Sequence, residues 1–200
     1  ASLRRLLVHA FPATQPQLVA VLNVNTPGVE TLPASDPAVR ARLDAADVIA
    51  GVQVRALLRA LAYPHEGRRL HELGPPRQTV RVGRRDLRVT LALVVRSSCG
   101  IERPFADPDR LRRWWERQQL ARLRSRLEEE AKTLYALYEF GRLHGAVRLV
   151  WGKEGTWLPV PWVSHEETTL RGLMEQAVQS GPLLPHRLLA LLRLPVVSYA

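Results

Sequence analysis

Sulfur, lysine and long apolar runs are what this 200-residue chain has least of. Cys99 is the only cysteine, which excludes an intrachain disulfide and a cysteine zinc cluster and fits a reducing compartment. Two lysines, at 132 and 153, stand among 29 basic residues, so nearly all the positive charge is arginine. The longest apolar runs, "LVAVL" at 18–22 and "LALVV" at 91–95, are too short to span a bilayer, and no cleavable signal pattern opens the chain. A cytoplasmic protein with no membrane partner is expected, nucleoid-associated if bacterial. The chain starts at Ala1 rather than methionine, as a processed or excised segment does. Neither G-x-G-x-x-G nor the P-loop pattern occurs, which removes the common routes to nucleotide-driven chemistry, and no cofactor is expected.

What is present is a hydrophobic fraction of 46%, enough for one or two domains with a real core. The formal charge is +10 and the sequence pI about 11.0. Guanidiniums are always charged and match phosphate in a planar fork, so an acidic partner is the natural expectation, with nucleic acid first. A GC-rich genome accounts for arginine in place of lysine, but not for the shortage of acids.

Residues 3–11 and 18–24 read as strands, and "NTPG" then breaks the chain. From Ser35 or Asp36 as cap and Pro37 at the first helical position, an alanine- and leucine-rich stretch predicts two helices divided at Gly51, the second ended by Pro64. "RQTVRVGRRDLRVTLALVV", 77–95, alternates: Val80, Val82, Leu87, Val89, Leu91, Leu93 and Val95 face one way, while Arg81, Arg88 and Thr90 face the other. That pattern predicts a hairpin with Gly83 to Asp86 at its tip. Asp107 and Pro108 open a helix whose periodicity runs to about Gly141 or Gly145. A second hairpin follows, turning at Gly152 to Gly155. Ser164 and Glu167 form a capping box for a helix ending near Gly181, and a last helix follows Pro185. The expected class is α+β: helices with two β-hairpins, one long central helix and a winged-helix-like N-terminal half. The expected division is 1–104 and 105–200, or one continuous domain.

"GVQVRALLRAL", Gly51 to Leu61, resembles the turn and recognition helix of helix-turn-helix proteins, and with the arginine-tipped hairpin residues 36–96 resemble a winged helix-turn-helix. The resemblance implies a second helix in the major groove, with Gln53, Arg55 and Arg59 facing bases and Arg81, Arg84, Arg85 and Arg88 on phosphates. It is also the reason for expecting DNA rather than RNA.

The stretch "DPDRLRRWWERQQLARLRSRLEEE" raises a separate question. On one continuous helix, Leu120, Leu123, Leu127, Ala131, Leu134 and Tyr138 form the apolar stripe, and Leu111, Trp114, Trp115, Gln118, Arg122 and Arg126 fall opposite. Three arrangements would resolve this. The helix breaks near "ERQQ" and its first turns pack separately; another segment covers the tryptophans; or Trp114, Trp115 and Arg122 form a surface that stacks bases beside phosphate or meets a partner protein.

Other chemistry has less behind it. His65 and His71 stand six apart rather than four and would not share a helical face, so no metal site is expected. Ser97, Ser98 and Cys99 have no base in view, and Glu130 with Lys132 spells the end of a nuclease-like E-x-K within a helix where a strand is needed. No catalytic residue is assigned. "EEE" at 128–130 reads as a solvated face. The resulting reading is a nucleic-acid-binding protein, probed against two alternatives. One is an assembly subunit, or homo-oligomer, docking through Trp114, Trp115 and a patch of Trp151, Trp157 and Trp162; the other is an enzyme gathering His65, His71 or Cys99 with a carboxylate.

Overall fold

Aliphatic runs buried on both faces make central strands, and the first two runs do so here. The computed structural model describes residues 3–163, nearly all of the first of the two units into which the chain divides, Ala1–Trp162 and Val163–Ala200. Strands β1 (Arg5–Phe11) and β2 (Leu18–Asn23) are antiparallel, with Val8 opposite Val21. Strand β3 (Gly28–Pro33), which carries no clear apolar run, adds to the outer side of β2. Helix α1 (Pro37–Ala45) starts where expected, because the Asp36 carboxylate accepts from the Ala38 N–H at 2.8 Å and Pro37 needs no donor partner.

The next segment departs from expectation. "VIAG" is strand β4 (Val48–Gly51), parallel to β1, and it is followed by helix α2 (Val54–Ala60) and strand β5 (Arg69–Glu72), parallel to β4. The sheet order is β3-β2-β1-β4-β5. All four residues of β4 are buried between two neighbouring strands, so backbone pairing and burial override the helical propensity of the surrounding alanines. Gly51 does not divide two helices. A Cβ there would lie 2.8 Å from the Val8 carbonyl oxygen, so glycine is what lets β4 approach β1. The helix pair is therefore joined by a strand rather than a tight turn, and a five-stranded mixed sheet stands where the winged-helix-like half was expected.

Side chains alternate across this sheet. Leu6, Val8, Val19, Val21 and Ile49 pack with Leu43 of α1 and Leu58 of α2 in one cluster, while Leu7, Ala20, Leu22 and Ala50 belong to the other. The second face is covered by the longest helix, α5 (Leu120–His144), through Leu123, Leu127, Ala131, Leu134 and Tyr138, five of the six residues of the expected stripe. Strands before residue 104 and the helix after it thus bury one shared core.

The arginine-rich hairpin is shorter than its alternation suggests: β6 (Thr79–Val82) pairs with β7 (Arg85–Arg88) and stops. The Thr90 hydroxyl accepts from the Leu93 N–H at 3.2 Å and starts helix α3 (Leu91–Cys99), closed by Gly100 at φ 71°. Leu91, Leu93 and Val95, expected on a strand, are helical because that cap satisfies a first-turn donor and the helix buries Val94 and Val95. Helix α4 (Pro108–Glu116) precedes α5, and after α5 the strands β8 (Ala146–Trp151) and β9 (Glu154–Pro159) form the second hairpin at the expected place. The molecule is α+β with a long helix. No helix among the described residues is long and apolar enough to cross a membrane. The capping box at Ser164 and the helix after Pro185 lie outside the described residues.

Candidate functional site

The predicted long helix breaks in the middle of "ERQQ". Arg117 ends α4, Gln118 takes a left-handed φ of 54°, and α5 begins at Leu120. Both tryptophans lie on α4, before this elbow, and as consecutive helical residues they point about 100° apart. Trp115 turns inward against Phe11 of β1, with ring centroids 6.4 Å apart. Trp114, also partly buried and packed against the core, borders a cleft. The Arg110 guanidinium, one turn back on the same face of α4, lies 4.8 Å from its ring centroid, and Arg122 reaches it from across the elbow at 5.5 Å.

Around Trp114 lies an open cleft of about 580 Å³, walled by Phe105, Arg103, Arg110, Arg122 and Arg126. Asp107, Ser125 and Glu129 complete its lining. Its wall at 101–107 is loop, fixed by polar bonds together with the packing of Ile101, Phe105 and Ala106 against the core. Arg126 donates to the carbonyls of Arg103 at 3.3 Å and Pro104 at 3.2 Å, to Glu129 at 3.0 Å and to Glu130 at 3.2 Å. Glu130 is only 3% exposed; it also accepts from the Ala106 N–H at 2.7 Å and meets Nε2 of His9 at 2.8 Å. Burial pushes the Glu130 carboxyl up, but the His9 hydrogen bond and charge, the Ala106 N–H and Arg126 outweigh it and hold the group below its ordinary value. One carboxylate thereby ties the cleft wall to α5 and to the sheet. Arg103, Arg110 and Arg122, all exposed, make no ion pair among the described residues.

Other expected site residues lie elsewhere. Gln53, Arg55 and Arg59 are exposed on α2, which packs on the sheet face opposite α5. The start of α2 is already filled by an anion: the Glu72 carboxylate accepts from the N–H groups of Gln53 at 2.7 Å and Val54 at 3.1 Å. A resident carboxylate there takes two of the donors and repels a phosphate from the rest. On the hairpin, Arg81, Arg84, Arg85 and Arg88 are all exposed, as expected. Arg81 and Arg88 share its outer face with Asp86, which sits directly across from Arg81, and Arg84 stands in the turn.

The three C-terminal tryptophans do not form one patch. Trp162 is buried at 1% exposure and donates to the Glu72 carbonyl at 2.9 Å, while Trp151 is half-buried and bonds Glu154 at 3.1 Å. Trp157 alone is exposed, at 50%, stacked on Phe140 at 6.0 Å. Nor do His65, His71 and Cys99 meet: His71 is buried on the Tyr138 hydroxyl at 2.6 Å, and burial pushes the Cys99 thiol up. Among the described residues no group of three His, Cys, Asp or Glu side chains could hold a metal ion.

The sequence reading named Trp114 and Arg122 but missed Arg103, Phe105 and Arg110. Arg110 was legible, four residues before Trp114 on one helix. Arg103 and Phe105 were not, because a loop position carries no periodicity. No protein-family model, curated protein or solved structure matches this chain.

Proposed function

We propose that the protein binds nucleic acid in single-stranded form, with the Trp114 cleft as the central contact. The observation that carries this reading is a partly buried indole with the guanidiniums of Arg110 and Arg122 over its ring, in an open cleft whose exposed arginines lack carboxylate partners. An aromatic face takes up any unpaired base by stacking, worth about 1–3 kcal/mol per base, and guanidiniums beside it bind the phosphates on either side. A paired base has no free face for a recessed ring, so duplex is disfavoured at this cleft. The hairpin arginines 81, 84, 85 and 88 add phosphate contacts without base readout. Selectivity for DNA over RNA, expected from the helix-turn-helix resemblance, has no counterpart in the cleft. A second reading, docking of a partner protein, draws on Trp157, the one large hydrophobic side chain exposed among the described residues.

The test is fluorescence anisotropy of labelled single-stranded DNA, RNA and duplex titrated across salt concentration. Single strands are expected to bind most tightly. The three cleft arginines alone contribute a slope of log affinity against log salt of about −2, and the hairpin steepens it. Absence of binding near physiological salt would overturn the reading and turn attention to Trp157.

A further inference from the structure

The cleft is not uniformly basic, and the carboxylates in its lining point to the kind of base it takes. Resting on the single-strand reading above, we infer that the site selects an unpaired base with an exocyclic amino group, cytosine, adenine or guanine, over thymine or uracil, with Glu129 as the acceptor. Trp114, Arg110 and Arg122 make one part of the lining, while Ser125, Glu129 and Asp107 belong to the same cleft. Phosphate cannot sit against a carboxylate, so the backbone belongs with the guanidiniums and the base edge with the acids.

The two carboxylates are not equivalent. Asp107 caps α4, accepting from the Asp109 N–H at 3.1 Å. Glu129 gives one oxygen to Arg126 at 3.0 Å, and its other oxygen accepts from no described residue. An ionised carboxylate offers about four acceptor sites and no donor. It therefore matches the amino group of cytosine, adenine or guanine, as acidic side chains do at cytosine N4. Thymine and uracil present a carbonyl oxygen at that position. Their one ring donor, N3–H, lies between two carbonyl oxygens that would face the carboxylate. Ser125, both donor and acceptor, does not discriminate. The Glu129 side chain is 59% exposed, so its contribution is that of a hydrogen bond partly screened by water until the stacked base covers it.

The experiment compares labelled oligomers of about twelve nucleotides, one of deoxycytidine and one of deoxyuridine, whose bases differ only in the amino or carbonyl group at position 4 and its ring proton. The deoxycytidine oligomer is expected to bind about fivefold more tightly. Glu129→Gln, an exposed change that leaves Arg126 its bond to Glu130, is expected to bring the two within about twofold, mainly by strengthening deoxyuridine binding, because the amide can donate to O4. Trp114→Ala should weaken both and remove the difference. Equal affinities in the native protein, or a preference that survives Glu129→Gln, would overturn the inference. Equal, salt-steep binding of both oligomers would leave the nucleic-acid reading standing, whereas no binding of either would remove both.

Discussion

Replacing Glu130 by glutamine removes the charge at the junction of sheet, long helix and cleft wall while keeping the side chain's shape. The carboxylate serves three partners: the Ala106 N–H at 2.7 Å, Arg126 Nε at 3.2 Å and His9 Nε2 at 2.8 Å. Hydrogen bonds to a charged group contribute about 1.5–3 kcal/mol each, and truncating one member of a buried pair costs about 3–5 kcal/mol. Glutamine keeps one acceptor oxygen but turns an amide N–H₂ toward a second partner, so a loss of about 2–4 kcal/mol is expected, against a total stability of about 5–15 kcal/mol. Urea unfolding at neutral pH should show it as a lower midpoint with an unchanged slope. The pH dependence supplies a second arm. The folded-state pKa lies below the unfolded value near 4.5, so the contribution is present above that value and is lost as pH falls through the folded one. The native protein and the variant should therefore converge in stability as pH falls through the folded-state pKa. Equal midpoints at neutral pH, or a difference that persists undiminished in acid, would refute the assignment of Glu130 as the structural anchor.

The two adjacent tryptophans should differ in binding. Trp114→Ala is expected to lower affinity for single-stranded DNA by about tenfold, whereas Trp115→Ala, losing its contact with Phe11, should leave that affinity nearly unchanged and cost about 2–3 kcal/mol in stability. Arg84→Ala with Arg85→Ala should make the salt slope of single-strand binding shallower by about 1–1.5, read by anisotropy; an unchanged slope would remove the hairpin from the interface. Gly141→Ala should destabilise by about 1–3 kcal/mol in urea, because the added methyl would overlap the buried Trp162 ring, although alanine in an ordinary helix would stabilise by about 1 kcal/mol.

Much of the architecture was legible where a local device marks it. Asp36 with Pro37, Asp107 with Pro108, and the periodic stripe from Leu123 to Tyr138 each carry a boundary or a face in residues near one another in sequence. β4 was not legible, because "VIAG" amid alanine, leucine and arginine is helical by propensity and becomes a strand only between β1 and β5. The extension of the first hairpin through Val95 failed for a related reason: alternation and a short amphipathic helix are ambiguous over "LALVV" until Thr90 is seen to cap. Of the candidate site, the Trp114 and Arg122 pair was within reach, yet the packing of both tryptophans against the core depended on the break at Gln118, a non-glycine residue in a left-handed conformation that no residue type announces.

By itself the sequence determined the chemistry on offer: phosphate-seeking guanidiniums in excess, stacking rings beside them, no disulfide and no phosphate loop. Its caps and periodicities also determined where α1 and α4 start and which side of the long helix is apolar. Only the tertiary structure decided that the sheet runs through the expected helix pair, that Glu72 closes the start of α2 to anions, and that Arg103, Phe105, Arg110, Trp114 and Arg122 share a cleft held by Glu130. The physical reason is range. Propensity and capping act over about four residues of chain, whereas strand pairing, burial and the ties from His9 and Ala106 to Glu130 join residues as many as 121 positions apart.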